Sequence, residues 1–63
     1  MKYVKNFRQA LSAIIDDLEI RCPHWTSETI KTNHVLRVDI WWAYVPVYGI
    51  EAVAAAIKFL EEH

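Results

Sequence analysis

The chain has 63 residues and a formal net charge of −1, and 54% of its residues are hydrophobic. The length predicts a single domain, and a charge so close to zero argues against a surface that attracts nucleic acid or an anionic membrane electrostatically. The hydrophobic fraction excludes an intrinsically disordered chain, so the sequence predicts one small folded domain.

Such a short domain needs an additional source of stability. It buries only about 60% of the surface that its unfolded chain exposes, and natural domains of this size usually gain stability from disulfides, a metal or oligomerisation. Cys22 is the only cysteine, which excludes an intrachain disulfide and favours the reducing cytoplasm. The sequence therefore favours oligomerisation, most simply as a homodimer.

The first segment of the chain has the spacing of an amphipathic helix. Apolar residues recur every three or four positions from Tyr3 to Leu18, with polar residues between them. Asn6 and Gln9 form a candidate capping pair near its start. Pro23 sets its other end, because the residue before a proline avoids the helical conformation.

The last segment predicts a second helix, which is rich in alanine and extends from Ile50 to Glu62. Its apolar face is wider than one small sheet can cover. Small residues such as Ala52 and Ala56 on that face predict a close approach to another helix.

The middle of the chain has the pattern of two β-strands. The threonines from Thr26 to Thr32 are typical of a short edge strand. Asn33 and His34 are typical of a tight turn. Alternation from Val35 to Val45 predicts the longer strand, which Pro46 ends. The expected fold is α+β, in the order α-β-β-α, with a short antiparallel sheet between two helices.

The longer strand also suggests how two copies could associate. The stretch from Ile40 to Val45 carries no charge and no proline, which is a composition that natural edge strands avoid. We expect a second copy to pair with this edge and complete the sheet. The predicted dimer interface consists of Ile40, Trp42, Ala43, Tyr44, Val45, Ala52 and Ala56.

Aromatic residues around the longer strand point to a binding surface. Trp41 and Trp42 are adjacent and cannot share one face of a regular strand, so one of them is expected to face outward. Aromatic residues beside an arginine are typical of interface anchors. The predicted partner-binding residues are Trp25, Arg37, Trp41 and Tyr48, and the predicted function is a non-enzymatic regulator, antitoxin or inhibitor that binds another protein.

Metal and membrane sites are weaker alternatives. Cys22 and His24 flank a proline, but a structural zinc site needs four ligands in paired spacing. We therefore predict no metal and no cofactor. The span from residue 40 to residue 57 contains Glu51 as its only charged residue, close to the length that crosses a bilayer, yet Pro46 and Gly49 interrupt it. Membrane insertion is thus not expected.

One enzymatic alternative rests on a resemblance. The predicted order is helix, strand, strand and helix, with a histidine at the hairpin and the run Tyr44-Val45-Pro46 before the last helix. In these features the chain resembles the small HicA-type ribonuclease toxins, which have a double-stranded-RNA-binding-like fold. The resemblance implies a catalytic role for His34. The stretch from Lys31 to His34 lacks the glycine and serine that accompany the family's histidine.

Overall fold

The computed structural model describes residues 4–62, and these residues form four helices without any strand. Helix α1 spans Phe7–Arg21, α2 spans Ser27–Thr32, α3 spans His34–Tyr48 and α4 spans Ile50–Glu61. The protein is an all-helical bundle, so the predicted α+β fold is wrong. The two outer helices were predicted from their periodicity, and their existence is confirmed. The predicted start of the first helix at Tyr3 lies outside the described residues, and positions 4–6 are not helical.

The threonine-rich segment forms a short helix because its side chains cap the helix end. The backbone N–H of Thr29 donates to the Thr26 hydroxyl at 3.3 Å, and the backbone N–H of Thr26 donates to the Thr29 hydroxyl at 3.1 Å. This reciprocal pair is a capping box, which satisfies two otherwise unpaired N–H groups. The threonines therefore mark a helix start and not an edge strand.

The predicted hairpin turn is the start of α3. The Asn33 side chain accepts a hydrogen bond from the backbone N–H of Leu36 at 3.0 Å, which makes Asn33 the N-cap of the helix. Leu36 and Ile40 follow at four-residue spacing and are buried. Burial of this helical face overrides the strand preference of the valines and aromatic residues.

The ends of the helices are set by local chemistry. Helix α1 ends before Pro23, as predicted, but Asn6 has a φ of 69° and makes no side-chain capping bond, so the predicted Asn6 and Gln9 pair is wrong. Pro46 lies inside α3, where it lacks the N–H that would donate to the carbonyl of Trp42. Gly49, with a φ of 93°, separates α3 from α4.

Helix α4 is central to the packing, since it contacts α1, α2 and α3. Ala52 and Ala56 are buried, which confirms the predicted close approach to another helix. The helices that α4 contacts belong to the same chain. Phe7 and Phe59 pack edge to face with ring centroids 6.0 Å apart, which links α1 to α4. The core consists of Ala10, Ile14, Leu18, Ile30, Leu36, Ile40, Ala52, Val53, Ala56, Ile57 and Leu60.

Within residues 4–62, no helix combines the length and the apolar character needed to cross a membrane.

Candidate functional site

An apolar stripe runs along the solvent-facing side of α3. From one turn to the next its members are three or four positions apart, and only Val45 and Pro46 are adjacent, so they lie on one side of the helix. Trp42 is 85% exposed, Val35 69% and Val38 47%. Val45 is half-buried and Pro46 is exposed in the next turn. We call this set the α3 stripe: Val35, Val38, Trp42, Val45 and Pro46.

The α3 stripe forms most of an open groove with a volume of about 450 Å³. Trp41 lines the groove and also packs against the core. Trp42 also lines the groove and has most of its surface in solvent. The remaining lining residues are Val38, Val45 and Pro46. None of the five lining side chains is charged, so the groove suits an apolar ligand surface.

The charged side chains of α3 are engaged by the rest of the chain. Arg37 Nη1 lies 3.4 Å from Glu61 Oε2 and donates to the Lys31 carbonyl at 3.4 Å. Asp39 Oδ2 lies 3.5 Å from Arg21 Nη1. These partly exposed ion pairs add little stability, but they leave the groove flanked by charges that are already paired.

Arg21 connects α1 to α3. Its Nε donates to Asp17 Oδ1 at 2.9 Å. This hydrogen bond is the main reason why the pKa of Arg21 is raised. Burial raises the pKa of the Tyr44 hydroxyl, and the nearby Asp17 carboxylate raises it further. Tyr44 also stacks on Tyr48 with ring centroids 6.2 Å apart. This polar cluster joins two helices on the inward side of α3.

The structure places most of the predicted partner-binding residues in the chain's own packing. Trp25, Trp41 and Tyr48 are half-buried and pack against the core, while Arg37 is paired with Glu61. Among these four residues, only Trp41 lines the groove. Of the adjacent tryptophans, the outward one is Trp42, because Trp41 turns toward the core.

The predicted dimer residues are divided between the core and the surface. Ile40, Ala52 and Ala56 are covered by the chain's own helices, and Tyr44 is half-buried. Ala43 is exposed but lies outside the groove, whereas Trp42 and Val45 line it. Pairing through a strand edge is wrong, since Val35 to Val45 is helical and its backbone groups bond within α3.

The geometry does not support the ribonuclease alternative. The fold that the resemblance implied requires a sheet, and residues 4–62 contain none. His34 is exposed at the first position of α3, and its side chain makes no hydrogen bond or ion pair to another described residue. No group of three or more potential metal ligands occurs in the described part of the chain.

The strand interpretation missed Val35, Val38 and Pro46 as surface residues. A strand places Val38 on the same face as Ile40 and Trp42, whereas the helix separates Val38 and Trp42 from Ile40. The available signal was the spacing of positions 35, 38, 42 and 45, which is helical and lies opposite the buried positions 36 and 40.

Comparisons with models of protein families, with curated proteins and with solved structures found no match to the chain.

Proposed function

We propose that the chain is a non-enzymatic protein-binding module, acting as a regulator, antitoxin or inhibitor does, and that the α3 stripe is its binding surface. The supporting observation is Trp42, which is 85% exposed and stands in an uncharged groove. Single exposed apolar residues are ordinary, but a contiguous apolar patch marks an interaction site. Tryptophan is also among the residues that contribute most to binding at protein interfaces.

A polypeptide fits this surface better than a lipid or a nucleic acid does. Helices that lie on membranes carry lysine and arginine on their polar face, whereas Arg37 is the only lysine or arginine of α3 and is paired with Glu61. Nucleic acid binding relies on basic side chains that neutralise phosphates, and the chain has a net charge of −1.

An enzymatic role of the groove is disfavoured by its lining. Catalysis in a pocket requires a nucleophile, a general acid or base, or a metal within reach of the substrate. The groove is lined by two valines, two tryptophans and a proline, and none of these side chains supplies such a group. The groove supplies a shaped apolar surface, which binding requires and catalysis alone does not.

Site-specific photocrosslinking tests this function. A benzoylphenylalanine in place of Trp42 is expected to crosslink to polypeptide in cells of the native host. The same residue in place of Ile20 is the control, because Ile20 is 80% exposed on α1 and lies outside the groove. Equal labelling at the two positions, or crosslinks at position 42 to lipid or RNA only, would contradict the proposal.

A further inference from the structure

We infer that the partner at the α3 stripe is a second copy of this chain, which packs its own α3 antiparallel against the first across a two-fold axis beside Trp42. This inference rests on the proposed function, because it assigns an occupant to the same binding surface. It replaces the strand pairing expected from the sequence with helix-on-helix packing, in which the ridge of one stripe fills the groove of the other.

The exposed area is enough for a weak, reversible dimer. A large aromatic side chain buries about 150–250 Å², and Trp42 has 85% of its surface available. Together with the valines and the proline, the stripe offers on the order of 500 Å² per chain, and a two-fold axis uses the same surface twice. The total of about 1,000 Å² is near the lower bound of specific interfaces.

The charge distribution is compatible with self-association. In a two-fold interface every group meets the same surface of its copy, so an unpaired charge near the axis would face an unpaired charge of like sign. The groove carries no charge. Arg37 and Asp39 at its borders are already paired with Glu61 and Arg21, and the net charge of −1 gives little repulsion between copies.

The positions of the stripe define which residues meet. On a helix, positions 38 and 46 lie about 40° to either side of position 42, by the rotation of about 100° per residue. An antiparallel arrangement centred on Trp42 therefore places Val38 of one copy opposite Pro46 of the other. It also sets the start of each α3 against the end of its copy, which the helix dipoles favour.

Sedimentation equilibrium of the purified chain is the first test. We expect a reversible dimer between low and high micromolar concentration, and a chain that remains monomeric throughout this range would overturn the inference. Trp42→Ala should weaken the dimer by roughly tenfold or more, as removal of a central interface aromatic does. Ile20→Ala, which removes an equally exposed apolar side chain on α1, should leave the dimer unchanged; equal effects of the two variants would contradict the inference.

A charge-complementation pair tests the antiparallel register. Val38→Lys and Pro46→Glu are placed at surface positions, and circular dichroism verifies that each variant folds. Each variant alone should dimerise at least roughly tenfold more weakly, because an unpaired charge would be buried in the interface. An equimolar mixture should recover the dimer, since the new lysine and glutamate then face each other. Failure of the mixture to recover would overturn the antiparallel arrangement.

The crosslinks at position 42 separate this inference from the proposed function. Crosslinks between two copies of the chain support both. Specific crosslinks to a different polypeptide, together with a monomer in sedimentation, would support the binding function and overturn self-association. The absence of any polypeptide crosslink above the level at position 20 would overturn both.

Discussion

Helices α3 and α4 are both predominantly apolar, but the chain uses them differently. Helix α4 buries five residues in 12, whereas α3 buries only Leu36 and Ile40 in 15. The small side chains of α4 let three other helices approach it, while the large aromatic and branched side chains of α3 stand partly outside the bundle. Hydrophobicity alone therefore does not indicate burial. The apolar surface left over on α3 is the feature that requires a function.

The largest expected effect is on the buried face of α4. Ala56 is fully buried, so Ala56→Glu would place an unpaired charge in the core at a cost of about 3–5 kcal/mol. A domain of this length has a total stability of about 3–9 kcal/mol. We expect the variant to be unfolded or nearly so, which circular dichroism and urea titration would measure.

Ala54→Glu is the matched control for this prediction. Ala54 lies on the same helix, two positions away, and is exposed. The control should unfold within about 0.5 kcal/mol of the original chain, as surface substitutions usually do. If both variants were equally stable, the assignment of the buried face of α4 would be wrong.

Substitutions on the two faces of α3 should change the free energy of unfolding by less than Ala56→Glu does. Ile40 is fully buried and Trp42 is 85% exposed two positions later. Ile40→Ala should cost about 2–5 kcal/mol of unfolding free energy, because it leaves a cavity in the core. Trp42→Ala should cost little in the monomer, and its effect should grow with protein concentration if the stripe joins two copies. Urea titrations at two protein concentrations measure the loss of stability within the monomer and its dependence on protein concentration.

Either of two results would contradict this prediction. A large, concentration-independent loss for Trp42→Ala would mean that Trp42 packs within its own chain. A loss below about 0.5 kcal/mol for Ile40→Ala would mean that the inward face of α3 is not part of the core.

The sequence predicted α1 and α4 because their periodicity is unambiguous. Between Val35 and Val45, by contrast, apolar residues occupy nearly every position from Ile40 onward, and such a run fits both a strand and a helix. The deciding information was the capping chemistry. Thr26 with Thr29 and the Asn33 side chain define two helix starts, but the same residue types are also typical of turns and edge strands.

The candidate site was less predictable than the fold. Its existence depends on which face of α3 the other helices leave uncovered, and this is a property of tertiary packing. Trp41 and Trp42 are identical in type and adjacent in sequence, yet one packs against the core and the other is exposed. Only the positions of the other helices distinguish them, since a helix turns by about 100° between neighbours.

The smallest predicted effect concerns the inward side of α3, at Tyr44. Burial raises the pKa of this hydroxyl above its ordinary value of 10.0, and the charge of Asp17 adds to the rise. Because the pKa is higher in the folded chain than in the unfolded one, the stability linked to the neutral hydroxyl is fully present below the unfolded pKa and is lost as the pH rises through the folded pKa. We therefore expect the urea midpoint to fall as the pH rises above 10.0, the ordinary pKa of the hydroxyl.

Tyr44→Phe isolates this contribution, since phenylalanine keeps the ring and removes the titrating group. The variant should show a smaller fall of the urea midpoint over the same alkaline range. Trp42→Phe is the outward control on the same helix; it removes no titrating group and should keep the original pH dependence. If Tyr44→Phe retained the full alkaline fall, the hydroxyl would not be held neutral by its position between α1 and α3. The Tyr44 hydroxyl would then be open to water, although Leu36 and Ile40 on the same side of α3 are buried.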